Sequence, residues 1–259
     1  MPASLRALAL ALLLLPACAP AEEVITLING EWLPYMSEKL PDYGPISHIV
    51  SAAFALEGVT VRYVFRPWSR AYAEADNGSA NGSIVWSVSR TESDRLRRFY
   101  FSDPVFEGQS VFFHLKTYPF EWTGFDQLRD IKMGGTAGYV YWFDKFPDIK
   151  IDRTAATDEL NFRKLLAGRF QIFPANLDVG LHIMRNDLTP AQAAQITWDP
   201  KPYNITPYHL MLSKKDSANR RYLALFNRGL QRLRDSGRYA LYMREVRREG
   251  SNEKSPQRP

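Results

Sequence analysis

The sequence predicts an α/β fold with mainly parallel strands, and three observations carry that reading. Short apolar segments with strand character alternate with amphipathic helical segments along nearly the whole chain. That order, rather than a block of strands followed by a block of helices, is what helical crossovers between parallel strands produce. The composition, 45% hydrophobic and 24% charged over 259 residues, is that of a packed chain long enough for one large or two medium domains. No low-complexity spacer and no internal repeat divides it. Two α/β halves would therefore share a rigid connection that the chain crosses more than once.

Residues 1–21 stand apart from the fold. Arg6 precedes the apolar run Ala7 to Leu15, Pro16 ends that run, and Ala17-Cys18-Ala19-Pro20-Ala21 follows. This is the order of an export signal, and the run falls far short of the roughly 20 residues that span a bilayer. Ala19-Pro20-Ala21 predicts cleavage before Glu22 and release of the mature chain. Leu15-Pro16-Ala17-Cys18 resembles a lipobox and leaves lipidation of Cys18 as the alternative.

The elements then follow in order. Val24 to Ile28 is a strand ending at Asn29-Gly30. Pro45 to Leu56 places Ile46, Ile49, Val50, Ala53 and Phe54 at helical spacing, and Gly58 stands where a left-handed cap belongs. Val59 to Phe65 alternates as a strand, and Pro67 opens a helix through Ala75. Ser83 to Val88, Phe99 to Phe101 and Ser110 to Leu115 are further strands. In the second half, a short helix at Phe125 to Asp130 leads to a strand at Ile131 to Met133 and the turn Gly134-Gly135-Thr136-Ala137-Gly138. Tyr139 to Phe146 is expected to be helical and Ile149 to Ile151 a strand. Thr157-Asp158-Glu159 opens a helix to Leu166 closed by Gly168; Phe170 to Phe173 is a strand and Asp178 to Arg185 a helix. Ile196 to Trp198 and Tyr208 to Leu212 are strands, Asp216 to Arg234 and Tyr239 to Val246 helices, and 251–259 a disordered tail.

Several chemistries are excluded. Cys18 is the only cysteine, so the chain has neither an internal disulfide nor a cysteine zinc site. His48, His114, His182 and His209 are scattered, and no phosphate loop, zinc-protease or nucleophile-elbow motif occurs. No metal and no cofactor is expected. The net charge of +5 is spread over 33 Lys and Arg against 28 Asp and Glu, without the basic stripe and reading motif of a nucleic-acid binder. The arginines crowding the last helices, from Arg220 to Arg248, read as a solvated face.

Four features suggest a ligand cleft. Glu31-Trp32-Leu33-Pro34-Tyr35 follows the first strand and Arg66-Pro67-Trp68-Ser69-Arg70 the second, the crevice end of an α/β sheet. Arg95 lies six residues before Phe101 in Phe101-Ser102-Asp103-Pro104. The turn from Gly134 to Tyr139 offers backbone N–H groups at an expected helix start, where an anion can be held.

Together and in this order, these residues resemble the bacterial extracellular solute-binding proteins of family 3, the polar amino acid type, over about Val24 to Val246. The most specific piece is Arg95 with Phe101-Ser102-Asp103-Pro104; Asp126-Gln127-Leu128 and Leu165-Leu166-Ala167-Gly168-Arg169 add to it. Trp32 to Tyr35 and Phe65 to Ala71 resemble an uncharacterised branch. The resemblance implies a two-lobe type II periplasmic-binding fold, each lobe a mixed, mainly parallel sheet flanked by helices, with two hinge crossings. Lobe 1 would be residues 24–107 plus 209–250 and lobe 2 residues 108–207. Closure would sandwich a small solute, with Trp32, Tyr35, Trp68 and Tyr139 stacking, Arg95 pairing a carboxylate, and Thr136 and Gly138 holding its other oxygen.

The sequence departs from the family pattern. The family's threonine three residues before the arginine is here Glu92, with Thr91 one further back. The acidic residue for a ligand ammonium is here Asn176, with Asp178 two residues on. Asn81 and Gln171 replace aspartates in the turns leading into strands. A neutral amide cannot neutralise a buried ammonium, so the expected ligand is a carboxylate-bearing or aromatic polar solute rather than a simple α-amino acid. The expected protein is a monomeric, non-enzymatic periplasmic binding protein serving a membrane permease or sensor. An enzyme of the dehydratase kind on the same fold and a degenerate module for protein interaction are the alternatives.

Overall fold

The structure is a computed structural model that describes residues 23–88, 93–139 and 141–248. The expected signal segment with Cys18, the pair Thr91-Glu92 and the expected tail at 251–259 lie outside the described residues.

The first half holds β1 (Glu23–Asn29), α1 (Pro45–Ala55), β2 (Val59–Phe65), α2 (Trp68–Asp76) and β3 (Gly82–Ser87). These lie within a residue or two of the ends that apolar spacing predicts. α3 (Ser93–Arg98) leads into β4 (Phe99–Leu115). The second half continues with a 3-10 turn at Phe125–Asp130, β5 (Met133–Thr136), a second at Trp142–Lys145, β6 (Ile151–Ala155), α4 (Asp158–Leu166), β7 (Ile172–Asn176), α5 (Leu177–Asn186), α6 (Pro190–Ala193) and β8 (Ile196–Trp198). β9 (Asn204–Ser213), α7 (Asn219–Asp235) and α8 (Arg238–Arg248) close the chain.

One nine-stranded sheet runs through the molecule in the order β2-β1-β3-β9-β4-β7-β5-β6, with β8 also on β4. β1 is parallel to β2 and β3, and β5 is parallel to β6 and β7. The strands at its middle, β4 and β9, are antiparallel to each other and reach into both halves: Phe99 pairs Ser213 at one end and Ser110 pairs Asn204 at the other. Beyond that point β4 pairs β7 and β8. Two neighbouring antiparallel crossings explain why no flexible linker is needed. Glu107 faces Pro207 and Gly108 faces Thr206 there.

Both faces of the first half-sheet are covered, as a mainly parallel sheet requires. Ile25 and Leu27 pack with α1 and α7, where Phe54 and Phe226 lie 5.2 Å apart between ring centres. Ile28, of the opposite parity on β1, packs with Ala71 and Ala75 of α2 and with Phe99 and Met211. In the second half Phe112, Met133 and Ile172 meet Trp122, Phe143 and Ile149 in a separate cluster.

Four expectations are corrected. Phe99–Phe101 and Ser110–Leu115 are the two ends of one 17-residue strand, not two strands. Pro104 lies inside it, and the register shifts on either side absorb the residue that cannot donate. The helix expected over Tyr139 to Phe146 is not found: among the described residues of that stretch only Trp142–Lys145 makes a 3-10 turn. That stretch is mostly aromatic, with weak helix propensity, and Tyr141 and Phe143 both bury into one cluster, an i, i+2 pairing that a helix does not allow. Strands β5, β6 and β7 begin two residues later than apolar content alone suggests. α7 starts at Asn219 because the Asp216 carboxylate accepts the Ala218 N–H at 2.9 Å and holds the preceding residues in a turn.

Candidate functional site

The ends of β1, β2 and β3 are assembled by short-range chemistry. Asn29 is fully buried, and its Oδ1 accepts from the Ser83 hydroxyl (3.1 Å) and the Ile84 N–H (3.0 Å), tying the end of β1 to β3. Glycine follows at position 30 because the Trp68 indole lies over it: a Cβ there would fall 2.3 Å from the ring. Trp68 Nε1–H donates to the Glu31 carbonyl at 3.2 Å. Trp86 stands edge-on to Trp68 at 5.5 Å. It is presented by a bulge in which Val85 has a φ of +68°, a rare conformation for a β-branched residue. The Arg95 guanidinium lies 4.8 Å above the Trp86 ring and 5.7 Å from Tyr72, and its Nη1–H donates to the Ser87 carbonyl at 3.0 Å.

These groups wall an outer cavity of about 540 Å³, lined by Trp32, Trp68, Tyr72, Trp86 and Arg95 from the first half, Gly138 and Tyr139 from the second, and Tyr208 from β9. An inner cavity of about 140 Å³ continues from it past the shared rings of Trp32, Tyr139 and Tyr208. It is lined by Tyr141, Trp142, Asp158, Asn176 and Tyr203, over the crossing residues Ser110 and Thr206. Together they form a cleft between the two halves, floored by the hinge strands.

The inner cavity is polar. Asp158 follows Thr157, whose Oγ1 accepts the Leu160 N–H at 3.2 Å and caps α4. The Asp158 carboxyl accepts the Thr136 hydroxyl. Burial pushes its pKa up to about 6, against the opposing pull of that hydrogen bond. Among the described residues no lysine or arginine pairs with it. Burial also pushes Tyr141 and Tyr208 up to about 12, so both phenols stay protonated. Asn176 caps α5: its Oδ1 accepts the Asp178 and Val179 N–H groups at 3.0 and 3.3 Å and the Tyr35 hydroxyl at 2.7 Å. The Asn176 Nδ2 and the Trp142 Nε1 are buried and have no hydrogen-bond partner. Nδ2 lies over Gly108 of the hinge, where a Cβ would come within 2.6 Å of it.

Of the residues singled out in the sequence, Trp32, Trp68, Arg95, Gly138 and Tyr139 line the outer cavity, and Asn176 the inner one. Tyr35 and Thr136 do not line either. Tyr35 is fully buried against Trp32 and Phe106, and its hydroxyl spans to Asn176 and, at 2.8 Å, to Asp178, joining the two halves behind the cleft. Thr136 is buried, with its hydroxyl between Asp158 and the Asn161 amide. The expected anion cradle is also corrected. The Thr136 N–H donates to Tyr141 Oη, the Ala137 N–H to the Ala155 carbonyl and the Tyr139 N–H back to Thr136. No helix starts there to supply a dipole. Of the carboxylates weighed from sequence, Glu31 and Glu107 are exposed and line neither cavity, and Glu92 lies outside the described residues. The residues missed are Tyr72, Trp86 and Tyr208 outside and Tyr141, Trp142, Asp158 and Tyr203 inside. In the sequence the run Tyr139-Val140-Tyr141-Trp142 reads as helical, and Asp158 reads only as part of a helix start.

Among the described residues no helix is long and apolar enough to cross a membrane, and no group of His, Cys, Asp and Glu is placed to hold a metal ion.

No family model and no curated protein sequence matches the chain. Solved structures do. A histidine kinase sensor domain with similarity to periplasmic binding proteins superposes with a TM-score of 0.70 at 19% identity, over 87% of this chain and 96% of the other. An amino acid ABC transporter substrate-binding protein from Streptococcus pneumoniae, bound to L-arginine, gives 0.68 at 15% identity over 90% and 97%. An ancestral amino acid-binding protein described as a precursor of cyclohexadienyl dehydratase gives 0.65 at 16% identity over 85% and 95%. The chain therefore has the two-lobe type II periplasmic-binding fold.

Proposed function

We propose that this is an exported, periplasmic solute-binding protein that captures a small polar, carboxylate-bearing solute between its lobes and presents it to an ABC-type transporter or a sensor. Lobe 1 is residues 24–107 plus 209–250 and lobe 2 is residues 108–207. The observation that carries the reading is the outer cavity, where aromatic rings from both halves meet beside one guanidinium. Trp32, Trp68 and Tyr139 offer flat faces for stacking, and the Arg95 guanidinium is a planar cation of the kind that pairs a carboxylate. The lobes close on the solute about the β4 and β9 crossings, and the closed state is stabilised only by what it binds. The protein acts as a monomer, without metal or cofactor, and does not engage nucleic acid.

The test is a thermal-shift screen of the purified protein against amino acids, carboxylates, carboxamides and short peptides. A ligand at about 100 times its Kd is expected to add roughly 2.7 kcal/mol. Failure of every class to shift the transition would remove the binding reading. A second reading, an enzyme on the same fold, is favoured by one observation: Asp158, with a pKa near 6, is an acid or base inside the cleft. Recovery of the bound solute unchanged after long incubation excludes that reading.

A further inference from the structure

Three residues that line the inner cavity carry polar groups that are incompletely matched. Asp158 presents a carboxyl without a cation among the described residues, while Asn176 Nδ2 and Trp142 Nε1 are buried donors without acceptors. A buried donor left unmade is costly and native cores rarely keep one, yet two of the residues lining this cavity carry one each. A cationic group here would satisfy Asp158 but face two N–H donors. An anion would satisfy the donors but face a carboxylate. A planar group carrying an N–H beside a carbonyl oxygen meets all three at once, the N–H on the carboxyl and the oxygen on the two donors. Flat walls at Tyr139, Tyr141 and Tyr203 suit a planar group of that kind.

We infer that the inner cavity recognises a carboxamide-type end group — a primary amide, ureide or lactam — whose N–H donates to Asp158 and whose oxygen accepts from Asn176 and Trp142. The inference rests on the solute-binding reading and narrows it. Arg95 lines only the outer cavity and Asp158 only the inner one, with the rings of Trp32, Tyr139 and Tyr208 between them. The solute thus carries its carboxylate and its amide at opposite ends. Asn176 then has a use that an aspartate would not serve: it caps α5 through Oδ1 and keeps Nδ2 for the ligand.

Calorimetry with straight-chain monocarboxylates of graded length tests this, the far end being a carboxamide, an ammonium or a second carboxylate; glutaramate, δ-aminovalerate and glutarate are one matched set. The carboxamide series is expected to bind best, by about tenfold or more over both others at its best length. Trp142→Phe keeps the ring and loses the donor, and is expected to weaken the carboxamide alone by several-fold. Asn176→Asp keeps the cap and replaces the donor by a charge, and is expected to move the preference to the ammonium series. Binding of the other series at equal or higher affinity, or an end-group preference that neither variant alters, overturns the inference while the solute-binding reading stands. Absence of binding by all three series overturns the inference as well. The wider thermal-shift screen then decides the solute-binding reading by itself, since any other ligand found there keeps it.

Discussion

Asp158 shows how a single side chain in the cleft acts against the fold. The groups facing it are the Thr136 hydroxyl and the phenols of Tyr139, Tyr141 and Tyr203, none of them cationic. Its folded pKa of about 6 stands above the ordinary aspartate value of 3.8, so between those two values the folded chain holds the extra proton. Stability therefore falls as pH rises through that window and is level above it. The shift is worth at most about 3 kcal/mol, and less to the extent that solvent in the open cleft screens the charge. Asp158→Asn, which keeps an acceptor for Thr136, is expected to raise the unfolding midpoint at neutral pH and to leave it unchanged near pH 4. Chemical denaturation at the two pH values measures the difference; an equal effect at both would show that the carboxyl is not strained in the fold. Tyr35 acts in the opposite sense. Its hydroxyl, fully buried, joins Asn176 and Asp178 across the back of the cleft. Tyr35→Phe is expected to cost about 1.5–3 kcal/mol in a urea titration, the range for a hydrogen bond to a charged acceptor.

At the scale of elements, the two halves lead into their sheets by the same device. Asn81 Oδ1 accepts the Thr26 N–H at 2.9 Å while its own N–H donates to the Thr26 carbonyl at 3.0 Å. Gln171 Oε1 accepts the Lys132 N–H at 2.9 Å while its N–H donates to the Lys132 carbonyl at 2.9 Å. Both stand where the related sequences were expected to carry aspartate, and an amide serves because only the acceptor oxygen is used on the strand. Asn81 does more: its Nδ2 donates to Asn219 at the start of α7 (3.1 Å), and Asn219 Nδ2 donates back to the Asn81 carbonyl at 3.0 Å. Asn81→Ala is therefore expected to cost about 1–3 kcal/mol and Gln171→Ala about 1 kcal/mol, the second leaving one exposed strand end loose. Equal losses in parallel melts would deny the link to α7. Most of these elements were legible because apolar spacing and caps act locally: Gly58, Thr157 and Gly168 mark helix ends wherever the chain later packs. The misread elements are those that long-range pairing decides. β4 continues through Pro104 because β9 lies beside it, and Tyr141 to Phe146 makes no α-helix because its rings are drawn into the cluster around Phe112 and Trp122. Asp158 escaped notice for the same reason. Nothing near it in sequence says that a helix start is turned into a cleft opposite Tyr208.

At the scale of the whole molecule, the rings of the cleft report on closure. Trp32, Trp68 and Trp86 line it from the first half and Trp142 from the second, four of the six tryptophans in the chain. Trp122 and Trp198 lie apart from it, beside Asp199 and His114. A solute that drew the lobes together would move the outer ring pair Trp68 and Trp86 out of water and bring Tyr139, now 43% exposed, against them. β4 and β9 are paired and closely packed at Gly108, so closure on a solute would be a rotation of two bodies about them rather than a refolding. Saturating ligand from the thermal-shift screen is expected to change the tryptophan emission and to reduce the radius of gyration in solution scattering, both in proportion to occupancy. Arg95→Ala is expected to lose about 2–5 kcal/mol of binding to a carboxylate-bearing solute, if the pair is buried on closure. Its tryptophan signal should return at correspondingly higher ligand concentration, since the rings and hinge are untouched. If instead the wild-type protein binds with a fluorescence change and no change in scattering, the solute is held by one lobe alone. Arg95 and Tyr139 would then not act on it together.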